Sequence, residues 1–170
     1  MIGLPQRTEA AQYYHQYIDR IVNPDVTAEL RLQLDETVAI LNRVSEEKSL
    51  YRYAPDKWSI RQMWSHVNDA ERVFVFRALW FARGMETPLP SFDQDVVVTG
   101  AGANGRDWSR HVEEFQNIRL STIAFFRNLP ADAWKRTGTA SGCTFTVHAL
   151  AYITAGHVDH HLGILRSRYL

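Results

Sequence analysis

The 170-residue sequence has one cysteine, Cys143, no block of like charge and no long uninterrupted apolar run. A single cysteine excludes an internal disulfide and fits a reducing compartment. Lysine plus arginine equals aspartate plus glutamate at 19 each, so no basic surface announces nucleic acid or an anionic membrane as a partner. The most hydrophobic stretch, RVFVFRALWFARG, is interrupted by Arg77 and does not read as a membrane span. The N-terminus, MIGLPQRTEAAQYYHQ, has no basic region followed by an apolar segment, so no signal peptide is expected. These shortages together predict a soluble cytoplasmic protein. A chain of this length is expected to form one domain, 1–170, with a core large enough to fold without disulfide or metal staples. Any metal site would then serve function rather than folding.

Four segments carry apolar residues at helical spacing. The first runs from about Val26 to Val44 after the turn Asn23-Pro24-Asp25, with Leu30, Leu34, Val38 and Leu41 three and four apart. An aromatic lead-in, Tyr13 to Ile21, predicts a short helix before it. The second follows Ala54-Pro55-Asp56, begins at the capping-box pattern Ser59-Ile60-Arg61-Gln62 and continues to about Ala82, with Gly84 closing it. The third lies between Asp107 and Leu129, ahead of Pro130. The fourth follows Thr144 or Thr146 and continues nearly to Leu170. METPLPSFDQDVVVTGAGANG separates the second and third segments and is too long for a tight turn, so it predicts a crossover or a loop over a binding site. KRTGTASGCTF, before the fourth, has room for a small hairpin. The pattern as a whole predicts an all-α four-helix bundle with a long crossover connection between helices 2 and 3.

Three of the seven histidines sit in AGHVDHHLGIL, residues 155–165. At about 100° per residue, His161 projects about 40° from His157, inside the apolar arc of Leu150, Ile153, Ile164 and Leu165. His157 and His161 therefore face the bundle interior one turn apart, about 6 Å between Cβ atoms, a spacing that chelates one ion. His160 falls at the margin of the arc and reads as a rim residue. His148, Asp159 and Arg166 project to the opposite, polar side.

A catalytic metal site normally takes a third protein ligand. In the second segment His66 shares a face with Met63, Ala70, Val73, Phe74 and Phe81, an imidazole on an apolar stripe. A lone buried imidazole is costly unless it bonds to something, and an ion shared with His157 and His161 would satisfy all three. Asp69, near the edge of that face, is a candidate to hold an imidazole N–H. The bland reading stands beside this one, since a histidine pair four apart is more often an ordinary hydrogen-bonded pair. Distance excludes the other donors: Cys143 and His148 lie about 21 Å and 13 Å from His157 along a continuous helix. His15 and His111 have no partner spacing. The tryptophans Trp58, Trp64, Trp80, Trp108 and Trp134 read as core or interface, with Trp64 and Phe76 pointing off the His66 face.

Residues 51–71, YRYAPDKWSIRQMWSHVNDAE, resemble the Y-x-P-x-K-W-S/T segment with its downstream H-x-x-D-x-E of the DinB-like (DinB/YfiT) superfamily. AGHVDHHLGIL resembles that family's G-H-x-x-H-H-x-G helix, and the likeness extends through Leu89-Pro-Ser-Phe-Asp-Gln-Asp95. The resemblance implies a four-helix bundle with a long crossover and a divalent ion, often nickel or zinc, held by His66, His157 and His161. It also implies a common tendency to form homodimers. Family members divide between thiol S-transferases acting with low-molecular-weight thiols, metal-dependent hydrolases, and proteins with no assigned activity.

Three neutral imidazoles leave an ion open to a small-molecule substrate, and two chemistries follow. One activates a small thiol for S-transfer. The other hydrolyses an amide or ester with a carboxylate base. The transferase needs an anchor for an anionic thiol, for which Arg77, about 16 Å beyond His66 along the helix, is a weak candidate. The hydrolase needs a base, for which Asp69 and Glu71 are available although Glu71 projects away. Residues such as Arg77 and Asp69 are more often surface ion-pair residues. A non-catalytic metal- or ligand-binding bundle is the third possibility, marked by a fourth protein ligand or by the absence of a pocket.

Overall fold

The computed structural model describes residues 3–170. Six α-helices run in the order α1 (His15–Ile18), α2 (Val26–Leu41), α3 (Ile60–Ala82), α4 (Gln94–Gly100), α5 (Trp108–Arg127) and α6 (Val147–Ile164). A two-stranded antiparallel hairpin, β1 (Thr137–Ala140) and β2 (Cys143–Thr146), precedes α6. The four long helices form the bundle. Both α2 and α3 pack on α5 and on α6, so helices consecutive in sequence, α2 with α3 and α5 with α6, stand diagonally across it.

Local chemistry sets the helix starts. Asp25 accepts hydrogen bonds from the Thr27 and Ala28 amides and starts α2. Ser59 and Gln62 form the reciprocal capping box at α3, each side chain taking the other residue's amide at 3.1 Å. Gly84, at φ 75°, turns the chain out of α3. Thr146, not Thr144, caps α6: it is the last residue of β2 and its hydroxyl accepts from the Ala149 amide, whereas Thr144 lies inside the strand. Helix α2 stops at Leu41, three residues before the expected Val44, and α6 ends in a π-helical turn over Leu165–Tyr169.

The crossover contains more order than its glycine and proline content suggests. Asp93 caps α4 through the amides of Asp95 and Val96, and α4 packs on α3. Leu89 joins the hairpin as an isolated bridge to Ala140, donating to Thr139 O and accepting from the Ser141 amide. The crossover is thereby tied to the hairpin beside α3.

Helix α6 is buried on nearly every side from Val147 to Val158, as expected for a helix enclosed by neighbours rather than packed on one face. His148 is the clearest departure from the helical projection. It is buried, with Nδ1 at 3.1 Å from Glu9 Oε2 and Nε2 at 3.0 Å from Gly3 O. The N-terminal segment covers the side that a one-faced projection assigns to solvent. Asp159 keeps to the rim and pairs with Arg20 at 3.0 Å.

Candidate metal centre

His66 on α3 meets His157 and His161 on α6 inside the bundle. The three Nε2 atoms converge: His66 to His157 and His161 to His157 are both 3.2 Å apart, and one ligand atom from each residue lies within 4.8 Å of the others. Two nitrogens bound to one ion at 2.0–2.1 Å in tetrahedral geometry stand about 3.3 Å apart. The two 3.2 Å spacings match that value, and the third nitrogen pair lies within 4.8 Å, so the cluster fits a shared divalent ion. The donor chemistry fits as well, since three neutral imidazoles suit a borderline ion such as zinc or nickel.

Aromatic rings fix the imidazoles. Trp58 lies 5.1 Å from the His66 ring, Tyr17 and Phe74 lie 5.3 and 5.5 Å from His157, and Tyr17 also stands edge-on to His160 at 5.5 Å. Tyr17 reaches this place because Gly156 lets the α1 backbone rest on α6. Burial pushes the His66 pKa down to about 4, and burial with the neighbouring imidazoles holds His157 and His161 well below 6.5. All three rings are neutral at pH 7 and present lone pairs to a cation.

Other expected roles do not survive. Asp69 does not hold an imidazole: its carboxylate pairs with Arg72 at 3.3 Å, while the outer Nδ1 atoms of His66 and His161 have no protein partner. Packing, not a carboxylate, orients those two rings. Glu71 points away from the triad, as projected, but is buried rather than solvated. Arg119 donates to it through Nε and Nη2 at 2.9 and 2.7 Å and to Gln33 through Nη1 at 2.6 Å, and Gln33 in turn donates to Ala155 O. This network ties α2, α3, α5 and α6 together just ahead of His157. Arg77 is buried, not a surface ion-pair residue. Trp64 is also buried, edge-on to Phe115, whereas Phe76 is half exposed. His160 sits half-buried outside the triad.

Two cavities reach the triad from different sides. One, of about 260 Å³, is lined by His66 and His157 together with Tyr14, Phe74, Arg77 and Phe92. The other, of about 290 Å³, is lined by His161 with Trp58, Asp56, Lys57 and Asp95. A larger surface depression lined by Arg72, Arg106 and Glu114 contains no histidine, and both of these arginines pair with Glu114. Sequence reasoning missed the contributions of Tyr14, Phe92 and Ser141. Their local signals were the run Tyr13-Tyr14-His15-Gln16-Tyr17, the stretch Leu89-Pro-Ser-Phe-Asp-Gln-Asp95 and the Ser141-Gly142 turn.

Among described residues no helix is long and apolar enough to cross a membrane. No curated protein sequence matches the chain significantly. Among solved structures it is similar to YfiT from Bacillus subtilis, described as a probable metal-dependent hydrolase with an unusual four-helix bundle topology. The TM-score is 0.72 at 16% identity, over 95% of this chain and 91% of that one. The family model of the DinB superfamily matches residues 29–165, a span that includes all three histidines of the triad. With that match over most of its length, the chain belongs to the DinB superfamily.

Proposed function

We propose that His66, His157 and His161 hold a divalent transition metal, nickel or zinc, and that the chain is an enzyme using it to activate a small thiol for S-transfer. The observation that carries this reading is the lining of the cavity at His66 and His157, which includes no aspartate or glutamate. When bound, such an ion lowers the pKa of a thiol or water that ligates it and so supplies a nucleophile at neutral pH. Water attack also calls for a positioned base, and the two nearby carboxylates, Asp69 and Glu71, are committed to Arg72 and Arg119. A thiol needs no such base once its proton has left. The aromatic walls from Tyr14, Phe74 and Phe92 suit the apolar part of an electrophile and exclude water from it. A purely structural metal site fits less well, since the cluster offers three protein ligands and two cavities adjoin it.

Metal-dependent hydrolysis of an amide or ester is the second reading. Asp56 and Asp95 line the cavity that adjoins His161; Asp56 is paired with Lys57 at 2.9 Å, which leaves Asp95 as the carboxylate base from that side. The description of YfiT as a probable metal-dependent hydrolase points the same way.

The test compares protein stripped of metal with protein reloaded with nickel or zinc. Consumption of 1-chloro-2,4-dinitrobenzene in the presence of cysteine should be at least ten-fold faster with the loaded protein. Equal rates would remove the thiol reading. Cleavage of an activated ester that needs no thiol and stops on chelation would establish the hydrolase instead.

A further inference from the structure

Arg77 stands apart from the other buried arginines. Arg61, Arg77 and Arg119 are all buried, and Arg61 is paired with Glu46 and Arg119 with Glu71. Arg77 has no carboxylate partner among the described residues. A buried guanidinium without a counter-ion is costly, and the cost is relieved by an anion that arrives with the ligand.

Its donors are only partly used. Both of its hydrogen bonds leave from Nη2, to Ser141 Oγ at 2.8 Å and Pro90 O at 3.4 Å. The Tyr14 hydroxyl stands within hydrogen-bonding reach of the guanidinium, and among the described residues no carboxylate takes its remaining donors. Arg77 is the only charged residue lining the cavity that reaches His66 and His157. An uncompensated positive charge in a low-dielectric aromatic pocket selects for negative ligands.

The loops that hold Arg77 look built for that purpose. Ser141 is the one non-glycine residue with a left-handed backbone among those described, at φ 52°, and Gly142 follows at φ 71°. The pair makes the two-residue hairpin turn in which both central residues need positive φ. Serine there costs on the order of 1 kcal/mol relative to glycine, yet its hydroxyl accepts from Arg77. The crossover supplies the second acceptor, Pro90 O, one residue from the Leu89 bridge that clamps it to the hairpin.

We propose that Arg77 is the anion anchor of the substrate site, binding a carboxylate or similar oxyanion at the end of the cavity opposite the triad. The Cα of Arg77 lies about 16 Å beyond that of His66 along α3, and helical side chains lean toward the helix N-terminus, so the guanidinium reaches back into the shared cavity. The ligand is then a molecule on the order of 10 Å long with an anionic head and an apolar body against Phe74, Phe92 and Tyr14. This assignment rests on the proposed function in taking the same cavity as the substrate site. Its test does not require the metal.

The probes are 4-phenylbutyrate and its neutral isostere 4-phenylbutyramide, titrated calorimetrically into the full chain, both metal-stripped and zinc-loaded. Wild type is expected to bind the acid at least ten-fold more tightly than the amide in both preparations. Arg77→Met and Arg77→Gln should reduce that preference to within about two-fold, while Arg77→Lys retains part of it. Equal binding of acid and amide by wild type, a preference that survives in Arg77→Met, or no detectable binding of either probe would overturn the assignment. If the Arg77 variants fail to fold, the wild-type acid-to-amide ratio alone decides. An acid preference that holds in the stripped protein, together with equal thiol-transfer rates in stripped and metal-loaded protein, would separate a correct anchor from an incorrect catalytic reading.

Discussion

A Cβ placed on Gly156 would lie 2.0 Å from the carbonyl oxygen of Tyr17, so the α1 backbone rests directly on α6 one residue before His157. Real Cβ atoms do not approach that closely, and backbone cannot yield as a flexible side chain can. Gly156→Ala must push α1 outward, and with it the Tyr17 ring that packs on His157. Overpacking of this kind costs about 1–3 kcal/mol, which for a chain of this size lowers Tm by several degrees. All three histidine ligands remain, so metal content should fall less than in a variant that removes one of them. A variant with wild-type Tm would show that α1 is not held in this contact.

The three-histidine site predicts a defined pattern of metal loss. Protein purified without an affinity tag should retain close to one equivalent of metal in wild type and in His160→Ala, whose ring lies outside the converging group. His66→Ala, His157→Ala and His161→Ala each remove one of three donors and should lower affinity by at least ten-fold, read by metal analysis after dialysis against a chelator. Stoichiometric metal in His157→Ala would defeat the site as assigned, because His157 is the nitrogen that both others approach at 3.2 Å.

The triad was legible because its signals are local to two helices. His157 and His161 are one turn apart on one helix, and His66 interrupts an apolar stripe on another. The helix starts were legible for the same reason, as with Ser59 and Gln62. What escaped depends on contacts between distant segments. A one-faced helical projection sends His148 to solvent, but Gly3 and Glu9 cover it from 139 or more residues away. Glu71 projects away from the triad correctly, yet nothing near it in sequence signals Arg119. Helix α4 lies in a segment whose glycines and prolines read as loop, and only its cap, Asp93, gives a local cue. Arg77 reads as a surface charge because its surroundings come from the Ser141 turn and the Pro90 segment of the crossover.

Stability of the metal-stripped protein should fall as pH drops from about 6.5 toward 4. In the unfolded chain the three histidines titrate near 6.5. In the fold, burial holds His66 down to about 4 and keeps His157 and His161 well below 6.5. Between those values the unfolded chain takes up protons that the folded one refuses, so acid favours unfolding; above 6.5 both states are neutral and the effect vanishes. For His66 alone the loss by pH 4 is about 3 kcal/mol. Melting curves of stripped wild type and stripped His66→Phe, taken from pH 7.5 to 4.5, should diverge, with wild type falling more steeply. Parallel curves would mean that His66 is not held neutral by the fold.

Breaking the Glu71–Arg119 pair from either side should be worse than removing it altogether. Both side chains are almost fully buried, at 1% and 0% exposure, and the carboxylate takes hydrogen bonds from two nitrogens of the guanidinium. Arg119→Met leaves Glu71 as an uncompensated buried charge, and Glu71→Leu leaves Arg119 as one. The first should cost about 3–5 kcal/mol, because the desolvated carboxylate keeps its penalty and loses its attraction. Arg119→Met also takes the donor from Gln33 Oε1, whose amide nitrogen holds Ala155 O two residues before His157. The damage should therefore reach the metal site as weaker metal retention, although neither residue touches a triad histidine. Combining Arg119→Met with Glu71→Leu removes both charges, and denaturant titration should place the double variant above Arg119→Met in stability. If the two single losses simply add in the double variant, the pair is not acting as a coupled ion pair.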